Sequence, residues 1–215
     1  MFRTILAALA VAALSAGSAA AQDTGRWFVH VGPGQLAPDE DAVITVPAFG
    51  GVVPGANVSI DSSVTAAAEV GYRFAPNLSA SVTFGLPPTE DVMATGSIAA
   101  FGRLGELKYG PAAVMGQYRF AGMGAIEPYV GGGLAVMYVF EDNDGSATNL
   151  EVGNAAGPAL QVGAEVMVSD RFGFFIDYKK AWFDTESSGQ LAGAPFTAEI
   201  QVDPSFLHAG VAFRF

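Results

Sequence analysis

The 215-residue chain carries 21 acidic against 10 basic residues, a formal charge of −11 that argues against a nucleic-acid partner. Charged residues make up only 14% of it, against about a quarter in soluble domains, while glycine (27) and phenylalanine (16) are abundant. There is no cysteine, so neither a disulfide nor a thiolate metal ligand is available.

Arg3 precedes an apolar run from Ile5 to Leu14, and Ala19-Ala20-Ala21 has the small-residue pattern of a cleavage site. Residues 1–21 are therefore expected to be a removed export signal, with cleavage before Gln22, and residues 22–215 a single domain. The apolar run is shorter than the ~20 residues of a spanning helix, and no later run reaches that length.

Alternating segments then recur. Strand one is expected over Arg26–Val31. Strand two runs from Val64 to Phe74, with Val64, Ala66, Ala68, Val70, Tyr72 and Phe74 on one face and Thr65, Glu69 and Arg73 on the other. After Ala75-Pro76-Asn77, strand three sets Leu78, Ala80, Val82 and Phe84 against Ser79, Ser81 and Thr83. Strand four sets Val114, Tyr118 and Phe120 against Met115, Gln117 and Arg119. A Gly-rich turn at 121–124 leads to strand five, with Val130, Leu134, Val136 and Tyr138 opposite Tyr129, Ala135 and Met137. Strand six sets Leu160, Val162, Ala164, Val166 and Val168 against Gln161 and Glu165. Strand seven sets Phe172, Phe174, Ile176 and Tyr178 against Phe175, Asp177 and Lys179. The last strand, Ser205–Phe215, alternates Leu207, Ala209, Val211, Phe213 and Phe215 with His208, Gly210, Ala212 and Arg214.

Eight strands, with short turns after the second, fourth and sixth and long acidic connectors after the odd ones, form the layout of an all-β, eight-stranded antiparallel outer-membrane barrel. The charges Glu69, Arg73, Arg119, Glu165, Asp177, Lys179 and Arg214 share parity with the small and polar residues, together with Thr83 and Gln117. They are expected to line the lumen, because a Lys or Arg facing lipid near the midplane costs about 2–4 kcal/mol. A soluble lipocalin-like barrel would reverse the faces. Tyr72, Phe74, Tyr118, Phe120, Phe172, Phe213 and Phe215 cluster at the short-turn ends, as an interfacial aromatic girdle does.

Gln117-Tyr118-Arg119-Phe120 followed by Glu127-Pro128-Tyr129-Val130-Gly131-Gly132-Gly133-Leu134 resembles the Q-(W/Y)-x-F and PYVGAG segments of the OmpW family. Leu36-Ala37-Pro38, Asp203-Pro204 and Phe213-Arg214-Phe215 support the likeness. Two places depart from it: Tyr109-Gly110-Pro111-Ala112 stands where that family commonly reads Leu-Pro-Pro-Thr, and Ser205 where it has Trp. The resemblance implies a narrow barrel in a Gram-negative outer membrane. It also implies uptake of small hydrophobic molecules with lateral release into the bilayer, and assembly by machinery that reads the last strand. The family's apolar lumen constriction has no counterpart at Thr83 or Lys179. The alternative is a structural or interaction barrel whose acidic loops meet lipid, lipopolysaccharide or partners and which transports nothing. A lumen packed throughout by side chains would favour that alternative.

No cofactor, metal or catalytic residue is expected. His30 and His208 fall on strands one and eight, neighbours in a closed barrel, but lack clustered ligand spacing. Ser205 and His208 point to opposite faces, which denies a nucleophile its base. Glu141-Asp142-Asn143-Asp144-Gly145 is followed by Ser146 and Ala147 where a calcium loop needs an acid or amide and then glycine. A solvated loop tip is expected there, with loose cation bridging to lipopolysaccharide phosphates as a further possibility.

Overall fold

The computed structural model describes residues 25–120 and 124–215; the export signal read at 1–21 and residues 121–123 of the Gly-rich turn lie outside them. Among the described residues the strands are β1 (Trp27–Ala37), β2 (Glu40–Val46), β3 (Gly51–Val52), β4 (Ala56–Ile60), β5 (Ser63–Ala75), β6 (Leu78–Gly85), β7 (Thr89–Gly96) and β8 (Arg103–Arg119). They continue as β9 (Ile126–Asp144), β10 (Ala147–Val152), β11 (Ala155–Met167), β12 (Phe172–Ala181), β13 (Phe183–Leu191), β14 (Ala194–Val202) and β15 (Ser205–Arg214).

Eight of these close a barrel in the cyclic order β1-β5-β6-β8-β9-β11-β12-β15, every pair antiparallel. Closure is between first and last strands, with Val29 opposite Phe213 and Val31 opposite Val211. No edge is left unpaired, as a hydrocarbon environment requires. The short turns are held locally. The Asn77 amide donates to the Arg119 carbonyl at 2.7 Å, and Ser169 Oγ accepts the Phe172 N–H at 3.1 Å.

The faces separate as the alternation predicts. Val64 is 71% exposed on the outside while Glu69 and Arg119 are fully buried within, so the wall is apolar outward and charged inward. That polarity suits lipid, not water. Exposed Trp27, Phe74, Tyr118, Phe120, Phe213 and Phe215 ring the short-turn end, and Tyr138, Phe140, Tyr178 and Trp182 ring the other.

Two expectations are corrected. The long connectors are largely strand: β2, β13 and β14 build a second sheet in the order β10-β13-β14-β2-β3, and β4 and β7 extend the wall above β8. Their alternating runs, such as Ala42, Ile44, Val46 and Phe196, Ala198, Ile200, Val202, are too short to read as barrel strands, yet each has an apolar side to bury. Strands four and five are also much longer than expected, reaching Arg103 and Asp144, because segments that look like loop are strand instead: Gly110 and Pro111 pair with Tyr138 and Met137, and the acidic run from Glu141 to Asp144 pairs with Lys108 to Gly105. The result is an apolar core above the barrel, including Ile44, Leu107, Leu150 and Phe183.

The seam between β1 and β15 leaves no room for side chains at two places: a Cβ on Gly32 would lie 2.0 Å from the Ala209 carbonyl oxygen, and one on Gly210 would lie 2.2 Å from that of Val31. Gly32→Val is therefore expected to prevent closure, seen as loss of the compact, fast-migrating band on unheated gels; an unchanged folded fraction would contradict the seam geometry.

Candidate functional site

The inward residues change character with height. Nearest the short turns, Arg73, Glu127 and Arg214 form a partly buried cluster, with Glu127 accepting from Arg73 at 2.5 Å and Arg214 at 2.9 Å. Above them Glu165 accepts from Arg119, from Arg214 at 2.7 Å, and pairs with His30 Nε2 at 3.1 Å. The Arg119 guanidinium lies between two rings, 4.2 Å from the Phe28 centroid and 4.8 Å from that of Tyr129. Those rings fit because the positions beneath them are glycines: a Cβ on Gly71 would strike Phe28, and one on Gly163 would strike Tyr129.

A third level centres on Glu69, which accepts from Lys179, Thr83 and Gln117, each at 2.8 Å. Asp177 accepts from Tyr129 at 2.8 Å, from Gln161 at 2.6 Å and from Lys179. His30 Nδ1 lies 3.7 Å from Glu69, and its ring stacks on Phe175 at 4.2 Å. Four carboxylates (Glu69, Glu127, Glu165, Asp177) thus face four cations (Arg73, Arg119, Lys179, Arg214). Charge balance is what makes the burial tolerable, since each unpaired ion inside would cost several kcal/mol.

The nine residues singled out by parity, Glu69, Arg73, Thr83, Gln117, Arg119, Glu165, Asp177, Lys179 and Arg214, all fall within this one network. Sequence reasoning missed Glu127, His30, Tyr129, Gln161, Ser79 and Ser81 as members. Glu127 precedes a proline and looks like connector, and β1 is too rich in glycine to show its alternation. Tyr129 and Gln161 were visible, since they have the inward parity. His30 and His208 stand opposite Ala212 and Gly34 respectively, so they lie at different heights on adjoining strands. Ser205 Oγ bonds Tyr178 Oη at 2.9 Å on the outer face, away from His208.

Above Lys179 and Thr83 the lumen is hollow. An apolar cavity of about 70 Å³ is bounded by Leu36, Tyr109, Ala113, Ala159, Phe183 and Phe206. A water molecule needs roughly 10–15 Å³ on this scale, so the space is that of a short hydrocarbon. The lumen is therefore packed in its lower half and holds an apolar cavity above. Beside the cavity the wall is incompletely laced. Pairing of β6 with β8 stops at Phe84 and Ala112 and that of β8 with β7 begins at Thr89 and Lys108, leaving Gly85 to Pro87 opposite Gly110 and Pro111.

The acidic loop tip is built by its own backbone. Asp144 accepts the N–H groups of Asn149 at 3.0 Å and Leu150 at 2.9 Å, and Asp142 accepts that of Val152 at 3.1 Å. These two donors hold the Asp144 carboxyl below its ordinary range.

Two outcomes follow. Arg119→Ala leaves Glu165 and Glu127 short of a partner in a dry interior and is expected to lower stability by roughly 3–5 kcal/mol, read as the shift in urea-unfolding free energy in lipid; a loss below ~1 kcal/mol would mean the network is hydrated. Because the folded carboxyl of Asp144 is depressed, its contribution is full above the unfolded value near 3.9 and is lost as pH falls through the folded one. Asp144→Ala should accordingly raise protease cleavage at 144–150 at neutral pH, where the wild type resists.

Comparisons with known proteins agree with this architecture. The chain is 30% identical over 166 residues to the outer membrane protein AlkL of Ectopseudomonas oleovorans, covering 77% of this chain and 72% of AlkL. It is 25% identical over 189 residues to the dibenzothiophene metabolism operon protein PahQ of Pseudomonas aeruginosa, covering 88% of each. The crystal structure of OprG from Pseudomonas aeruginosa superposes with a TM-score of 0.81 at 20% identity, over 89% of this chain and 96% of that one, and so supports the closed eight-stranded fold. The OmpW family pattern matches residues 23–215. With that match, the inverted polarity of the wall and the unbroken ring of eight strands, the chain belongs to the OmpW family of barrels in the Gram-negative outer membrane.

Proposed function

We propose that the barrel admits small apolar molecules from outside the cell into the outer membrane, without offering them or ions a way through the lumen. The observation that carries this reading is the stacking of an apolar cavity directly on a charge-balanced plug. Outer-membrane barrels face their long connectors outward, so the cavity opens towards the exterior side and the plug faces the periplasm. A hydrocarbon gains by entering the cavity, on the order of 25 cal/mol for each Å² of surface it removes from water. It gains nothing by moving on among Glu69, Lys179 and Asp177, where it would separate paired charges.

The remaining way out is sideways. The stretch of wall where β6 and β8 are not laced, between Gly85 and Pro111, adjoins the cavity, and Pro111 has no N–H with which to close it. The two facing glycine and proline segments, Gly85-Leu86-Pro87 and Gly110-Pro111, thus mark the exit to the bilayer. The name of the relative PahQ, which places it in a dibenzothiophene metabolism operon, agrees with an apolar cargo.

Ala159 is 2% exposed on the cavity wall. Ala159→Leu fills part of the space, and uptake of n-octane into proteoliposomes is expected to fall by roughly tenfold, equivalent to about 1.4 kcal/mol of lost occupancy. Planar-bilayer recordings of the wild type are expected to show no sustained ion conductance. Undiminished octane uptake by the filled variant, or a steady conductance, would remove the basis of this reading.

A further inference from the structure

Several glycines of the barrel wall are there because a neighbour fills the place of their side chain. A Cβ on Gly133, for example, would lie 1.9 Å from the Val114 carbonyl oxygen. Gly116 and Gly132, directly opposite each other on β8 and β9, are different. A Cβ would meet nothing closer than 3.7 Å on Gly116 or 3.8 Å on Gly132, which are ordinary contacts, and neither has a left-handed φ. Both share parity with exposed Val114, Tyr118, Val130 and Leu134, so the free space lies on the lipid side. Glycine weakens a strand, and one the wall does not need marks a close approach to the backbone from outside. The pair floors a groove on the outer face, walled by Leu78, Tyr118 and Leu160 and ending at Lys180 and Trp182.

We propose that this groove holds an acyl chain of lipid A, the phosphorylated lipid of the outer leaflet, with a lipid phosphate on the Lys180 ammonium. The proposal stands apart from the uptake reading and needs neither the cavity nor the exit. Register gives the groove its direction: Gly116, Gly132, Leu160 and Lys180 form one row across β8, β9, β11 and β12. Three strand spacings, about 14 Å, separate the ends of that row, a span an acyl chain can follow. Charge gives it a polarity. Lys180 is the only charged side chain lining the groove among the described residues, and it lies at the end nearer the long connectors, beside Trp182. The other end, at Leu78 and Tyr118 beside the short turns, offers an anion nothing, so a lipid of the inner leaflet would find no partner for its phosphate. In the plug, and at Arg103 and Lys108 outside it, cations pair with carboxylates. Lys180 forms no such pair among the described residues; its ammonium donates to the Asp203 carbonyl, which leaves two of its three N–H groups for a phosphate. A lysine that merely reached for water would leave the glycine floor unexplained.

Native mass spectrometry of the full-length barrel, released from detergent over a series of lipid concentrations, reads which lipids it retains. Lipid A is expected to be retained as a single molecule, severalfold more tightly than phosphatidylglycerol. Lys180→Gln is expected to weaken lipid A by about fivefold, the worth of one lysine at an anionic lipid surface, and to leave dephosphorylated lipid A unchanged. Gly132→Leu fills the floor and should weaken both forms. Gly116→Ala should do the same to a smaller extent, and carries the test if Gly132→Leu fails to give the compact band on unheated gels. Ala159→Leu, inside the cavity, should retain lipid A as the wild type does. If Lys180→Gln affects both forms alike or neither, the phosphate contact is refuted; if the folded glycine variants retain lipid A undiminished, the groove is. Phosphatidylglycerol held as tightly as lipid A would rule out the outer-leaflet lipid as the preferred occupant. Weakening by Ala159→Leu would place the chain in the cavity and refute the groove. A wild-type barrel that retains no lipid A overturns the proposal outright, and octane uptake, measured separately, is untouched by that result.

Discussion

The pairing of Arg119 with Glu165 and Glu127, inside a narrow eight-stranded ring, is the interaction on which the rest of this structure depends. A wall that must be apolar towards lipid has only its inner face for charge. Charge placed there has to be matched within the barrel, because Glu69, Arg119, Glu165 and Asp177 are withdrawn from the solvent that would screen them. The four cations and four carboxylates meet this condition, and glycines on the facing strands make room for the rings that flank the guanidinium.

That solution divides the lumen. Polar side chains able to reach across an eight-stranded barrel fill the lower half, and the same strands carry alanine, leucine and methionine higher up. Met115 is the point of change on β8, between Gln117 in the network and Ala113 in the cavity wall. The strands that continue beyond the membrane, with β2, β4, β7, β10, β13 and β14, shelter an apolar mouth rather than an aqueous one. A binding cavity for hydrocarbon therefore arises from the barrel's own gradient, with no separate binding domain.

Much of the network could be read from parity alone. Glu69, Arg119, Glu165 and Lys179 share a face with small residues on every strand that carries them, and a side-chain period of two admits no other assignment once one face is lipid. Tyr129 and Gln161 obey the same rule and could have been included. Glu127 and His30 were hidden because their segments, one interrupted by Pro128 and the other by Gly32 and Gly34, do not show the alternation. Tyr109 was hidden for a related reason: with Gly110-Pro111 after it, it looks like part of a loop, whereas it pairs with Val139 in a long β8.

What the sequence by itself determined is the number of barrel strands, which face of each meets lipid, and the family. These depend on local alternation and on short motifs, which neighbouring residues suffice to specify. Which residues share a level was decided only by the tertiary structure. The stagger between strands places Lys179 opposite Phe206, and brings Glu69 and Lys179 together across 110 positions of chain. The cavity above them and the unlaced wall beside it are likewise products of register, because they exist only where several strands, each unremarkable alone, are cut off at the same height.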